Sequence, residues 1–184
     1  TSLPAPGGIG DIGVARRWID LCRSHGHSLW QMCPIGPAGS GNSPYLTLSS
    51  YAGNPLLVSL DALYERGLLS RTELPAAGDF PAGRVDYPAV YKSKTALLER
   101  AAERCAGTTG AFETFCDREK HWLDDYTLFC TLKEHNARRP WYEWEKPQRL
   151  REPDALLSFS ETHARRPRSY PLLQSWDHQH RQAM

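Results

Sequence analysis

From residue 30 to residue 60 the chain reads W-Q-M-C-P-I-G-P-A-G-S-G-N-S-P-Y-L-T-L-S-S-Y-A-G-N-P-L-L-V-S-L, without one charged side chain. The stretch opens as an apolar run and breaks at Pro34. It crosses residues 36–55 through Gly, Pro, Ser and Asn, and returns to apolar residues at Leu56. Connections in compact domains mostly span about 4–6 residues, and far longer ones without secondary structure are uncommon unless they have a function. Asn42, Ser43, Ser49, Ser50 and Asn54 donate and accept hydrogen bonds, while Tyr45 and Tyr51 offer flat apolar faces tipped with a hydroxyl. Such groups suit a neutral, hydroxylated ligand, and the absence of charge argues against phosphate or nucleic acid.

What precedes the loop sets its context. Residues 3–13 are turn-rich, and Asp11 stands where a helix can start, as an N-cap rather than a catalytic acid. Trp18, Leu21 and Cys22 then fall at i, i+3 and i+4, one face of a helix, and Gly26 is a natural stop. Residues 29–35 read as a short buried strand. Helix, glycine, apolar strand and a long loop at the strand's carboxyl end form a βα-barrel pattern, in which ligand loops sit at that end.

Residues 61–67 read as a short helix ending at Gly67, and residues 70–90 as an irregular connector. Ser93 is expected to cap a helix through Cys105, ended by Gly107. The strongest periodicity follows. Phe112, Phe115, Cys116, Trp122, Leu123, Tyr126, Phe129 and Cys130 recur at threes and fours, predicting an amphipathic helix over residues 111–135 whose aromatic stripe is core. Trp141, Tyr142 and Trp144 fit either a sugar platform or an irregular corner of the core, and the core reading is preferred. A helix is plausible over 154–163, and residues 165–184 carry only a weak pattern.

Composition excludes several classes. A net charge of +1 gives no pointer to nucleic acid or an acidic membrane surface, and the basic clusters at 138–139 and 165–168 read as solvated surface. No run has the length of a membrane span. The cysteines (Cys22, Cys33, Cys105, Cys116, Cys130) number five, with no C-x-x-C pair, which favours reduced thiols in a cytoplasmic protein over a zinc site or disulfide framework. There is no G-x-S-x-G elbow, phosphate-cradling loop or H-E-x-x-H. His178 and His180 with Asp177 have the residue types of a metal site, but an exposed tail is the preferred reading, so no metal is expected. Asp124 and Asp125 are adjacent on a helix, so their side chains diverge; they are read as facing water or pairing with Lys120 and His121.

Five ordered blocks carry a resemblance. They are T-S-L-P-A-P-G-G-I-G-D-I-G at 1–13, W-Q-M-C-P-I-G-P at 30–37, G-N-S-P-Y-L-T-L-S-S-Y-A-G-N-P-L-L at 41–57, W-L-D-D-Y-T-L-F-C-T-L-K-E-H at 122–135 and P-W-Y-E-W at 140–144. Together they resemble the 4-alpha-glucanotransferases, also called amylomaltases or disproportionating enzymes (glycoside hydrolase family 77), up to about residue 154. The resemblance implies an α/β fold, the incomplete N-terminal part of a (β/α)8 TIM barrel with a largely helical insertion. Residues 1–60 would hold the first βα units, with the substrate loop at 36–55. Residues 61–168 would form a mostly helical inserted subdomain, and 169–184 would start a helix leading to the next barrel strand. Such a barrel usually needs about 250 residues, so the chain is expected to be an N-terminal piece of a longer enzyme.

By the same resemblance, Ser43 and Tyr45 lie in the donor glucose subsite beside the scissile bond. Tyr45 would pack its ring on the sugar, and Pro44 would fix φ between the two. Asn42 is the third candidate, on its hydrogen-bonding capacity. Many members carry a tyrosine where this chain has Ser40, a departure that leaves a secondary glucan surface without its aromatic. The implied activity transfers α-1,4-glucan segments between maltooligosaccharides by a retaining double displacement, with no cofactor. Its aspartate nucleophile, glutamate acid/base and supporting aspartate belong to later strands and have no counterpart here, so no catalytic residue is assigned in this chain. The alternatives are a non-catalytic fragment acting at most as a glucan-binding or assembly module, and an incomplete fold with exposed apolar faces.

Overall fold

The computed structural model describes residues 3, 5–76, 79–81, 83–105, 110–163 and 169–182. The basic cluster at 165–168, the stop expected at Gly107 and the side chain of Ser40 lie outside what is described.

The first helix, α1 (Ile12–Ser24), starts where its cap predicts: Asp11 Oδ1 accepts the Val14 N–H at 3.0 Å. It ends at His25, with Gly26 in the left-handed region at φ +77°. Ile12 and Val14 are buried, whereas Trp18 and Leu21, on the apolar face read from the sequence, are 36% and 50% exposed.

Residues 27–35 correct the expected strand. They run without regular structure, with Leu29 88% exposed and Met32 44% exposed. A strand is stabilised by its neighbours' hydrogen bonds, and a parallel strand is normally covered on both faces. Among the described residues none pairs with this segment as a strand; its Ile35 carbonyl accepts only the Asn54 N–H, at 3.0 Å. The described residues hold one isolated β-bridge, Ala38 with Thr47, and no strand.

The rest is helical. α2 (Leu60–Glu65) is capped by Ser59, whose Oγ accepts the Ala62 N–H at 3.4 Å, and gives way to Gly67 at φ +71°. In the connector, a 3-10 turn at Arg71–Glu73 carries a capping box with Ser70. Glu73 also takes Arg100 at 2.8 Å and Arg104 at 2.6 Å, which hold its carboxyl far below the usual carboxylate range. Both arginines lie on α3 (Tyr87–Arg104), so this cluster fastens the connector to the helix.

α3 starts six residues before the expected cap at Ser93. Asp86 Oδ1 accepts the Ala89 N–H at 3.1 Å, and Pro88 occupies the first turn. Lys94 of this helix is 1% exposed, with its ammonium against Gly7 and no hydrogen-bond partner. Burial pulls its pKa down to about 8, although Asp11 and Asp61 act the other way.

α4 (Gly110–His135) matches the predicted amphipathic helix, with Phe115, Leu123, Tyr126, Cys130 and Leu132 buried. At the 3-10 turn Trp141–Glu143 the core reading holds for one aromatic. Trp144 is buried beside Leu132 and Phe159 and donates to the Arg139 carbonyl, while Trp141 and Tyr142 are exposed. α5 (Lys146–Arg149) and α6 (Pro153–Thr162) follow.

α7 (Ser169–Gln182) overturns the reading of an exposed tail: Leu173, Gln174, Ser175, Trp176 and Asp177 are all buried. Leu173 and Trp176 join Val58, Leu60, Leu63 and Leu69 with Leu97, Leu98 and Ala101 of α3 in the main core. Leu173 and Trp176 stand three apart on the buried face, but the neighbouring polar Gln174, Ser175 and Asp177, also buried, mask the pattern. No helix among the described residues is long and apolar enough to cross a membrane.

Candidate functional site

The uncharged loop folds back on itself. Gly39 N–H donates to Leu46 O at 2.7 Å and Leu48 N–H to Pro37 O at 2.8 Å, on either side of the Ala38–Thr47 bridge. The tip turns through a 3-10 segment at Ser40–Asn42, with Gly41 at φ +77° and Asn42 at φ +55°. Asparagine is among the few residues that tolerate the left-handed region. A tight turn follows, Leu46 N–H to Ser43 O at 3.1 Å, with Pro44 at the position whose fixed φ favours it.

The tip parts the three candidate residues. Tyr45 is 74% exposed, and its phenol lies 3.8 Å from the Cys33 sulfur, a contact that raises its pKa and keeps it protonated. Ser43 is half-buried. Asn42 instead faces a cavity of about 380 Å³ between the loop and helices α3, α4 and α7, whose lining includes neither Ser43 nor Tyr45.

The far wall of that cavity carries Tyr91, Tyr126 and Tyr170 with Lys133, Glu134 and Arg138. Burial raises the phenols of Tyr126 and Tyr170 well beyond the ordinary value, helped at Tyr170 by its bond to Glu134, and raises the Cys130 thiol to about 12. Arg138, at φ +61°, lies 5.7 Å from the centre of the Tyr91 ring. The Tyr126 and Tyr170 phenols and the Cys130 thiol therefore stay protonated at neutral pH.

Other candidates take structural places. Asp125 pairs with Arg151 at 2.7 Å rather than with His121. His178 lies 2.7 Å from an Arg118 nitrogen, and burial first, then that cation, lowers its pKa. His180 is half-buried, also with a lowered pKa. No group of three or more His, Cys, Asp or Glu among the described residues is arranged to hold a metal.

A family model described as 4-alpha-glucanotransferase matches residues 1–184. The chain belongs to this family. Its 4-alpha-glucanotransferase relatives include those of Thermus thermophilus, 42% identical over 162 residues, and Synechocystis sp., 41% identical over 162 residues. Each alignment covers 85% of this chain and 32% of the relative, so the chain spans about a third of the length of the curated relatives it matches. Among solved structures, amylomaltase from Streptococcus agalactiae in complex with acarbose aligns with a TM-score of 0.89 at 26% identity, over 98% of this chain and 37% of that one.

Residues of this 4-alpha-glucanotransferase family chain that the sequence reading passed over are those on α3, on α7 and in the turn after α4, behind the loop. Tyr91, Arg138 and Tyr170 line the cavity, and Gln174 touches the loop backbone directly. Residues 169–182 form α7, with Pro171 in its first turn.

Proposed function

We propose that these residues are the N-terminal part of a 4-alpha-glucanotransferase that moves α-1,4-glucan segments between maltooligosaccharides by a retaining double displacement. The observation that carries this reading is the family match along the whole chain, supported by the likeness to an amylomaltase whose structure holds acarbose. Retention needs two carboxyl groups about 5–5.5 Å apart, one attacking the anomeric carbon and one protonating the leaving oxygen. This chain supplies neither in our reading; its part is to bind sugar.

Tyr45 lays its exposed ring against the donor glucose and hydrogen-bonds through its neutral phenol, with Ser43 and Asn42 adding hydrogen bonds. The uncharged loop favours a neutral glucan over nucleic acid or an anionic membrane surface. No cofactor or metal enters the reaction. Residues 1–60 contribute the first βα units of a (β/α)8 barrel, 61–168 a helical insertion, and 169–184 the helix before the next strand. Residues 29–35 become a barrel strand once flanking strands lie beside them. The five free thiols support a reducing compartment, and we place the protein in the cytoplasm.

Full-length protein containing this chain is expected to redistribute maltotriose into glucose and longer maltooligosaccharides. Tyr45→Ala should lower that kcat/KM at least about tenfold, equivalent to roughly 1.4 kcal/mol. Untouched maltotriose, or an unaffected Tyr45→Ala protein, would sink the reading. The exposed Trp18, Leu21, Leu29 and Met32 favour a second reading, in which the 184 residues alone serve as a glucan-binding or assembly module. Maltoheptaose binding by this chain without turnover, lost in Tyr45→Ala, distinguishes it.

A further inference from the structure

We propose that Gln174 is a positioning residue, which holds the substrate loop in place through the backbone of Gly53. The inference rests on reading Ser43 and Tyr45 as a glucan subsite, and names the part of the chain that sets where that subsite stands.

Gln174 is 1% exposed and lies 121 residues from Gly53 in the sequence. Its side-chain amide meets Gly53 at two points: Oε1 accepts the Gly53 N–H at 2.8 Å, and Nε2 donates to the Gly53 carbonyl at 3.0 Å. Both bonds are buried, so water does not readily replace either one. The pair uses a donor and an acceptor together, which among side chains only an amide (or a protonated carboxyl) offers in this geometry. Asp177, one turn further along α7, closes on the other side of the same residue. A Cβ added at Gly53 would collide with the Asp177 carboxylate. Position 53 therefore takes no side chain, and the helix face touches bare backbone.

The restraint passes from Gly53 to the hairpin through short links. Ser49 Oγ accepts the N–H groups of Tyr51 and Ala52, both at 3.1 Å. Thr47 Oγ1 donates to Ser49 O at 2.8 Å, and Thr47 bridges to Ala38 across the base of the tip. On the other side, Asn54 N–H reaches Ile35 O at 3.0 Å, fixing the start of the loop relative to its end. Tyr45 is largely exposed, with the Cys33 thiol beside its hydroxyl. Its placement therefore depends on the backbone beneath it, and that backbone is anchored to α7 by Gln174.

The test combines amide hydrogen exchange with maltoheptaose titration on the 184-residue chain. Gln174→Ala should speed exchange at Gly53, Leu48 and Gly39 about tenfold while α3 and α4 amides keep their rates, and should weaken maltoheptaose binding several-fold. Gln174→Glu supplies a readout that packing alone does not move. At about pH 8 its carboxylate cannot donate to the Gly53 carbonyl and should behave like the alanine variant; at about pH 5 a protonated carboxyl restores the donor and the slow exchange, after correction for intrinsic rates. Gly53→Ala, with Gln174 intact, should loosen the same amides by displacing the loop from α7. Unchanged exchange at the three loop amides would overturn the proposal, as would a rise spread equally over α3 and α4. So would Tyr45→Ala abolishing binding while Gln174→Ala leaves it intact. If Tyr45→Ala itself leaves binding unchanged, the glucan subsite reading fails, and the exchange data still decide whether Gln174 holds the loop.

Discussion

The helices α3, α4 and α7 and the segment at residues 18–35 come from one chain of ordinary composition, yet one is packed and the other lies open. Leu97, Leu98, Leu123, Leu173 and Trp176 are all 8% exposed or less, while Leu21, Leu29 and Met32 are exposed by 44% or more. The difference lies in where each element finds its hydrogen bonds. A helix closes its backbone bonds internally, so an amphipathic helix needs only one apolar face to cover. A strand closes none of its own. Residues 27–35 have the apolar content of a strand but no neighbouring strand among the described residues, and the face of α1 that would cover a sheet is left in solvent.

The contrast is broken most forcefully from the packed side. Trp176 is 4% exposed and sits where α7 meets α3 and residues 58–69. Trp176→Ala is expected to lower unfolding stability by about 3–5 kcal/mol, the range for large aromatic truncations in cores. Urea denaturation monitored by circular dichroism checks this. A loss near zero would mean that α7 is docked loosely and that the packed region stops at α3 and α4.

The seam between the regions gives the next effect. Lys94 reaches from α3 under the turn at Gly7, facing Asp11, the cap of α1, and Asp61 of α2. Its folded pKa of about 8 lies below the ordinary 10.5, so the unfolded chain binds more protons between those values and stability rises with pH across that window. The rise from this group is roughly 3 kcal/mol. Asp11 has the opposite sign: burial raises its carboxyl, so its contribution falls as pH climbs above the usual carboxylate range. Buried thiols and phenols also titrate in alkali, so the measurement is a difference. Stability of the wild type minus that of Lys94→Met should climb from about pH 8 to 10.5; a flat difference would place Lys94 in water.

The same contrast explains what the sequence disclosed. The α4 stripe, the Asp11 cap and the glycines at 26 and 67 were legible because each acts within a turn or two of itself. Asp86 and Pro88 are equally local signals, but they directly follow a stretch of glycines and prolines whose pattern is that of an irregular connector. The strand at 29–35 was misread because periodicity reports apolar content but not whether a partner exists. The burial of α7 at Asp177, against the exposed-tail reading, stays hidden for the opposite reason: its polar Gln174 and Asp177 are buried against Gly53, a contact no local pattern announces. For the candidate site, Ser43 and Tyr45 came through the S-P-Y motif, whereas the cavity wall at Tyr91, Arg138 and Tyr170 is assembled from α3, the turn after α4, and α7.

The smallest expected effect sharpens the comparison most. Leu29 is 88% exposed, so truncating it removes almost no buried surface, and Leu29→Ala should change the stability of the 184-residue chain by about 0.5 kcal/mol or less. In full-length protein the prediction reverses. If residues 29–35 there become a barrel strand, Leu29 is enclosed on one face or the other, and the same substitution should cost about 2–5 kcal/mol. The two measurements form a single test, because the side chain and the substitution are identical and only the surroundings differ. A small effect in both proteins would mean that the segment stays open even with the rest of the enzyme present. A large effect in the short chain would mean that α1 and residues 27–35 already pack on each other in solution.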